Sequence, residues 1–246
     1  MSAYYTYSKL TGNYPGLTST YDTDGNGGRH NPNNNRSFDQ PQMQFTAHGK
    51  PYSGDLPTDR PNTVGGYGSY RLKWFGGDSQ IGLSQSIYQG SPVSTAWPTG
   101  TSTSSVQFPE DQGSWVPITR ASDGSIQAGT IKHNYRTPAY LQTDGNLTHY
   151  VHVSKEHENR RLGGEINVSN LLGQHAVTGY NEVPLTAAVA PTTTSNPLGY
   201  DWYAMETGWD YVGVSNSNKK LVSNTYGQPN IFQPGRQIRL KVAFTF

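Results

Sequence analysis

Apolar and polar residues alternate through the last stretch of the chain. From Arg236 to Phe246, Ile238, Leu240, Val242, Phe244 and Phe246 are interleaved with Arg239, Lys241, Ala243 and Thr245. Successive side chains on a strand point to opposite faces, so the pattern predicts a strand with one wholly apolar side. Less regular versions occur at Ala3–Leu10, Asn62–Trp74, Ser79–Gln89, Ala139–Val153 and Arg161–Leu172, mostly with Leu, Ile, Val, Tyr or Trp at alternate positions. Helical periodicity is almost absent: Gly, Pro, Asn, Ser and Thr punctuate the chain, and Ala187-Ala188-Val189-Ala190 is bracketed by Pro184 and Pro191. The expectation is an all-β chain with six long antiparallel strands.

Between these strands lie 51 residues (11–61), 4 (75–78), 49 (90–138), 7 (154–160) and 63 (173–235), so long and short connections strictly alternate. Structureless loops of that length argue against an ordinary compact domain, where connections are mostly about 4–6 residues. They suit an antiparallel transmembrane β-barrel, which joins its strands by short periplasmic turns and longer extracellular loops. Four of the six segments run 11–13 residues, and a tilted membrane strand needs roughly 9–11. On this reading Tyr4, Tyr5, Tyr7, Tyr70 and Trp74 are candidates for the interfacial aromatic girdles. Asp144, Glu165 and Asn167 fall on the face opposite Leu147, Val151, Ile166 and Val168, and so toward a polar lumen. The competing architecture is a soluble β-sandwich, whose strands also alternate but commonly run about 5–6 residues with short turns.

Composition sharpens this picture. Lys and Arg number 18 against 17 Asp and Glu, and charged residues make up 14% of the chain, against roughly 25% in ordinary domains. The chain is polar without being charged, and its 17 Tyr, 7 Phe and 5 Trp argue against disorder. Without a basic excess to neutralise phosphates, nucleic acid is not an expected partner. Cysteine is absent, which removes disulfides and thiolate chemistry. No window holds the apolar run of a membrane-spanning helix, and Met1-Ser2-Ala3-Tyr4-Tyr5 lacks the basic and apolar regions of a signal peptide, so export by that route is not expected of the sequence as written.

The closing segment, Gln233-Pro234-Gly235-Arg236-Gln237-Ile238-Arg239-Leu240-Lys241-Val242-Ala243-Phe244-Thr245-Phe246, resembles the last strand of TonB-dependent outer-membrane receptors. The Oar-like group, which carries a carboxypeptidase-regulatory-like domain upstream, is the most similar. Further matches follow in order: Tyr5-Thr6-Tyr7-Ser8-Lys9-Leu10 with Gly12-Asn13-Tyr14, Arg36-Ser37-Phe38-Asp39, Leu56-Pro57-Thr58-Asp59-Arg60-Pro61, Gln89-Gly90-Ser91-Pro92, Arg136-Thr137-Pro138 and Asn167-Val168-Ser169-Asn170-Leu171-Leu172. The resemblance implies that residues 1–246 are the C-terminal part of a receptor β-barrel in the outer membrane of a Gram-negative bacterium, with neither plug domain nor signal peptide. It implies as partners the remainder of the barrel and the plug, TonB acting through that plug, the barrel-assembly machinery and outer-membrane lipid. Phe244 and Phe246 would belong to the signal that the assembly machinery reads. Such receptors close with 22 strands around a plugged lumen, so a six-stranded portion is an incomplete barrel, not competent for transport alone.

Candidate chemistry is sparse. Asp22-Thr23-Asp24-Gly25-Asn26-Gly27 matches the first half of a calcium loop, making Asp22, Asp24 and Asn26 candidate ligands. Position twelve of that loop is Asn33 rather than glutamate, and the same residue types are the usual ones in turns. His152 and His157 fit no zinc spacing. Glu110 with Asp111, or Asp201 with Glu206 and Asp210, could pair for acid–base work only if folding held them about 5–9.5 Å apart. Ser84 and Ser91 lack a nucleophile elbow, and no phosphate-binding loop is present. No enzymatic step is therefore expected. Trp202, Tyr203, Trp209 and Tyr211 could stack on sugars or peptides, or could order their own loop. They carry the alternative function, a soluble extracellular β-rich carbohydrate-binding module.

Overall fold

The computed structural model describes residues 1–12, 45–51, 53–99, 106–153, 160–189 and 201–245. Among the described residues twelve strands and two helices follow one another: β1 (Ser2–Tyr7), β2 (Asn62–Trp74), β3 (Gly77–Tyr88), β4 (Trp97–Pro98), β5 (Val106–Gln107), β6 (Ile118–Arg120), β7 (Ile126–Ala128), β8 (Tyr140–His152), β9 (Arg161–Ser169), β10 (Val177–Tyr180), α1 (Trp202–Thr207), α2 (Tyr211–Ser217), β11 (Pro229–Phe232) and β12 (Gln237–Thr245). The six strands expected from alternation form one antiparallel sheet in the order β1-β2-β3-β8-β9-β12. It is open, with β1 and β12 as its edges.

The β2–β3 connection is shorter than the expected four residues. Trp74 pairs with Gly77, leaving Phe75 and Gly76 as a two-residue turn with φ of 46° and 71°. Positive φ at both positions matches the twist of the flanking strands. Gly77 continues the ladder without a side chain, which is why alternation does not reveal it.

The three long connections emerge at the opposite end of the sheet, and they are not the structureless loops that their composition suggests. They contribute three two-stranded sheets, β4-β5, β6-β7 and β10-β11, together with α1 and α2. The core is also there. Ala47 comes from the first connection, Trp97, Val116, Ile118 and Ile126 from the second, and Leu185, Val189 and Tyr211 from the third. Backbone hydrogen bonds tie the same segments, from Trp209 N–H to Ala47 O at 2.7 Å and from Val189 N–H to Pro98 O at 3.0 Å. Both helices are shorter than two helical repeats, and each is started by an aspartate that caps it: Asp201 accepts from Ala204 N–H, and Asp210 from Gly213 N–H.

A buried ion cluster joins this loop layer to the strand ends. Asp59, fully buried, accepts from Leu10 N–H at 2.7 Å and from Arg136 Nη2 at 2.6 Å. Arg136 also reaches Asp55 at 2.5 Å and the carbonyls of Asp59 and Gly90 at 3.0 and 3.2 Å, while Lys9 pairs with Asp55. Two carboxylates thus face two cations, and the guanidinium fork fills its donors with both carboxylates and carbonyls. At the same junction a Cβ on Gly90 would run into the Thr137 carbonyl, so the end of β3 approaches the start of β8 only because residue 90 is glycine.

Asp59→Ala leaves Arg136 and Lys9 facing one carboxylate in a mostly buried site, and a loss of about 3–5 kcal/mol is expected, as for other broken buried pairs. Arg136→Lys should also destabilise, because an ammonium cannot make the forked contact. Equilibrium unfolding followed by tryptophan fluorescence checks both.

Candidate functional site

The register of the six strands sorts every side chain of the sheet onto one of two faces. Tyr70, Ile81, Leu147, Ile166 and Leu240 form one cross-strand row, and Trp74, Gly77, Val151, Leu162 and Phe244 another. Gly68, Leu83, Gly145, Val168 and Ile238 form a third on the same face. No Asp, Glu, Lys or Arg of the six strands lies there. All of them, Arg71, Lys73, Asp78, Asp144, Arg161, Glu165, Arg239 and Lys241, lie on the other face.

Among the described residues no second sheet covers the apolar face, although at its loop end Leu171 lies over Gly145 and Gln174 donates to Thr143 Oγ1 at 3.1 Å. Leu240 is 74% exposed, Val242 81% and Leu83 53%, and no fully buried apolar side chain belongs to any of the six strands. A sandwich would pack a second sheet here, but the three small sheets lie in the loop layer and none packs against it. The few polar side chains on this face are hydrogen-bonded: Ser79 Oγ meets His149 Nδ1 at 2.7 Å, Thr143 Oγ1 donates to Gln85 Oε1 at 2.5 Å, and Asn62 donates to Gln89 Oε1 at 2.6 Å. Tyr5, Tyr7, Tyr70 and Trp74 lie on the apolar face, as expected of girdle residues. Tyr4 does not: it projects from the polar face with its ring over Gly65.

The polar face is a ladder of hydrogen bonds. Asn167 donates to Glu165 at 2.6 Å, Lys241 sits 3.6 Å from Glu165, and Gln142 donates to both oxygens of Asp144 at 3.0 Å. Asp144 also accepts from Asn170 N–H at 2.8 Å. A groove of about 400 Å³ runs between Tyr67, Gln80, Ser84, Asp144, Asn146 and Asn167. Asp144, Glu165 and Asn167 therefore stand where alternation puts them, engaged in contacts that order the face.

The aromatic candidates separate. Tyr211 is buried, edge-on to Trp97 at 4.8 Å, and burial beside the carboxylates of Glu110 and Asp210 pushes its phenol up to about 12. Trp209 donates its indole N–H to Gln107 Oε1 at 3.0 Å and packs on the same core. These two order their own loop. Tyr203 is exposed, and the Trp202 side chain lies outside the described residues. Asp22, Asp24, Asn26 and Phe246 also lie outside them. Phe244 is on the apolar face, opposite Leu162. Asp201 and Asp210 act as helix caps, and Glu110 pairs with His48 at 2.7 Å. Among the described residues no three His, Cys, Asp or Glu side chains come together as a metal site.

Glu182 was not signalled by any motif. It lies in the loop layer beside a second cleft of about 400 Å³, where burial pushes its carboxyl up to about 8 although Ser94 N–H donates to it. Neighbouring Tyr226 stacks on Trp115 at 4.5 Å and donates to Val116 O at 2.6 Å, and burial raises its phenol as well.

The chain matches no protein family, no curated protein and no solved structure.

The Glu182 carboxyl binds its proton more tightly in the folded chain than at its ordinary value of 4.5. Its neutral form is the one the fold favours, so stability falls as pH rises from about 4.5 through about 8. Wild type and Glu182→Gln should unfold at similar temperatures near pH 5. By about pH 9 the glutamine variant should be the more stable. Near-ultraviolet circular dichroism across that range measures the difference.

Proposed function

We propose that the chain is part of the barrel wall of a TonB-dependent outer-membrane receptor of the Oar-like group, which takes up or binds a large nutrient. The observation that carries this reading is the sheet with a charge-free apolar face, on which no second sheet packs, and all its charges on the other. In a membrane, backbone polar groups must be paired within the protein, and a barrel strand alternates lipid-facing and lumen-facing side chains. Ten residue steps from Val64 to Trp74 at about 3.3 Å span about 33 Å, or about 23–25 Å across a bilayer at the usual tilt. That matches the roughly 25 Å apolar band of outer-membrane barrels. Trp74 and Phe75 then stand at one interface and Tyr5 and Tyr7 at the other.

In this arrangement the short turns face the periplasm and the loop layer faces outward. The polar face lines the barrel interior, where the groove beside Asp144 meets the plug. Six strands do not close a barrel, and the smallest known use eight, so β1 and β12 pair with further strands of the receptor. The wall has no catalytic step. Energy for uptake comes from TonB through the plug, and the isolated wall does not transport. The β12 face ending on Phe244 serves as part of the signal for the barrel-assembly machinery.

Arginine at Leu147, near mid-height on the apolar face, should cost about 2–4 kcal/mol in a bilayer and lower the amount of chain resisting alkaline extraction from outer membranes. Arginine at the adjacent Asn146, on the polar face, should be tolerated. Equal tolerance of both, with the chain recovered in the soluble fraction, would contradict the membrane assignment and favour a soluble carbohydrate-binding module.

A further inference from the structure

The groove on the polar face of the sheet follows from which residues the register brings together there. Tyr67, Ser84 and Asp144 form one cross-strand row, and Ser69, Gly82, Asn146 and Asn167 form the next row toward the turns. Ser84 and Gly82, on the strand between, are small and make a floor, with Tyr67 and Ser69 on one side and Asp144 and Asn146 on the other. Tyr67 is 63% exposed, so its ring forms a free wall.

The groove also marks where charge ends on this face. Arg71, Glu165 and Lys241 occupy the adjoining row toward the turns, and Arg239 stands across Asn167 on the edge strand, outside the lining. Toward the loop layer the six strands place no Asp, Glu, Lys or Arg on this face. Tyr4, Tyr88 and Tyr140 project there instead, the last two with their rings 5.9 Å apart. Asp144 is the one charged side chain among the lining residues, and its oxygens accept from Gln142 and from Asn170 N–H. The side chains of Ser69, Gln80, Ser84 and Asn146, by contrast, hydrogen-bond to no other described residue. Their hydroxyl and amide groups are open to a ligand.

We propose that this groove binds a neutral saccharide, with a sugar ring stacked on Tyr67 and its hydroxyls bonded to those four side chains. An aromatic ring offers a flat apolar surface to the C–H face of a pyranose, and a few convergent polar groups fix its orientation. An anionic ligand finds no Lys or Arg in the lining, and an ammonium meets a carboxylate that the protein already engages. Tyr88 and Tyr140 lie four residues farther along β3 and β8 than Ser84 and Asp144, about 13 Å at the rise of a strand, so a linear oligosaccharide can reach them from the groove. Resting on the barrel reading, under which this face lines the lumen, the assignment makes a neutral oligosaccharide the class of nutrient taken up.

Titration calorimetry with maltohexaose, cellohexaose and laminarihexaose tests this on the purified full chain, held in an amine-oxide detergent so that no sugar headgroup competes. At least one of them should bind, with an affinity that hardly changes between low and high salt, since a neutral ligand is not screened. Tyr67→Ala should weaken binding about tenfold, the scale of a lost stacking contact, and Tyr67→Phe should retain it. Tyr203→Ala, at an exposed tyrosine of the loop layer, should leave it unchanged. Asn146→Arg should abolish binding while the chain stays in the membrane. Wild type recovered in the soluble fraction with binding intact would overturn the barrel reading and leave the groove assignment standing. No binding of any of the saccharides, undiminished binding in Tyr67→Ala or Asn146→Arg, or loss of binding in Tyr203→Ala would overturn the proposal.

Discussion

Side-chain alternation, kept in register across six paired strands, is the constraint on which the other features of this chain depend. A slip of one residue at any pairing would move an entire strand's apolar set to the opposite face. Here the pairing carries Tyr70, Ile81, Leu147, Ile166 and Leu240 across five strands without a charged side chain among them, and gathers Arg71, Glu165 and Lys241 in one row behind. Among the described residues no second sheet packs on the apolar face, and Leu171 and Gln174 lie against its loop end. In water it would be a large exposed hydrophobic patch, of the kind that marks a binding or membrane surface. The same arrangement explains the low charge and modest hydrophobicity of the sequence: half of each strand is polar, and the apolar half does not form a core.

Because the sheet supplies no core, the loop layer has to supply its own. Trp97, Val116, Leu185 and Tyr211 do this from segments distant in sequence, and the Asp55, Asp59, Lys9 and Arg136 cluster anchors the layer to the strand ends. The arrangement separates a sheet with one charge-free apolar face and one polar face from a packed loop layer that shapes a cleft. The cleft beside Glu182 belongs to the loop layer.

What could be read from the sequence was what depends on local period. All six sheet strands lie where alternation puts them, and Asp144, Glu165 and Asn167 fall on the expected face. Tyr4 was misplaced among girdle residues because aromatic character outweighed parity: it alternates with Ala3 and Tyr5, which face the other way. The loop layer was illegible because its strands are two to four residues long and its core is assembled across three connections. Its helices betrayed themselves only by the capping aspartates Asp201 and Asp210. Asp59 and Arg136 stood in recognisable motifs, but their pairing across 77 positions is a product of folding. Glu182 is legible only once Ser94 and the 223–230 segment are packed around it.

Nitroxide labels at single introduced cysteines measure the central claim most directly, since the chain has no cysteine of its own. With the protein in bilayers, labels at positions 81, 147 and 240 should collide freely with oxygen and hardly at all with a water-soluble nickel chelate. Labels at 71, 146 and 239 should show the reverse, so the two accessibilities would run out of phase along each strand. Chelate accessibility equally high at 81, 147 and 240 would place the apolar face in water and contradict the account.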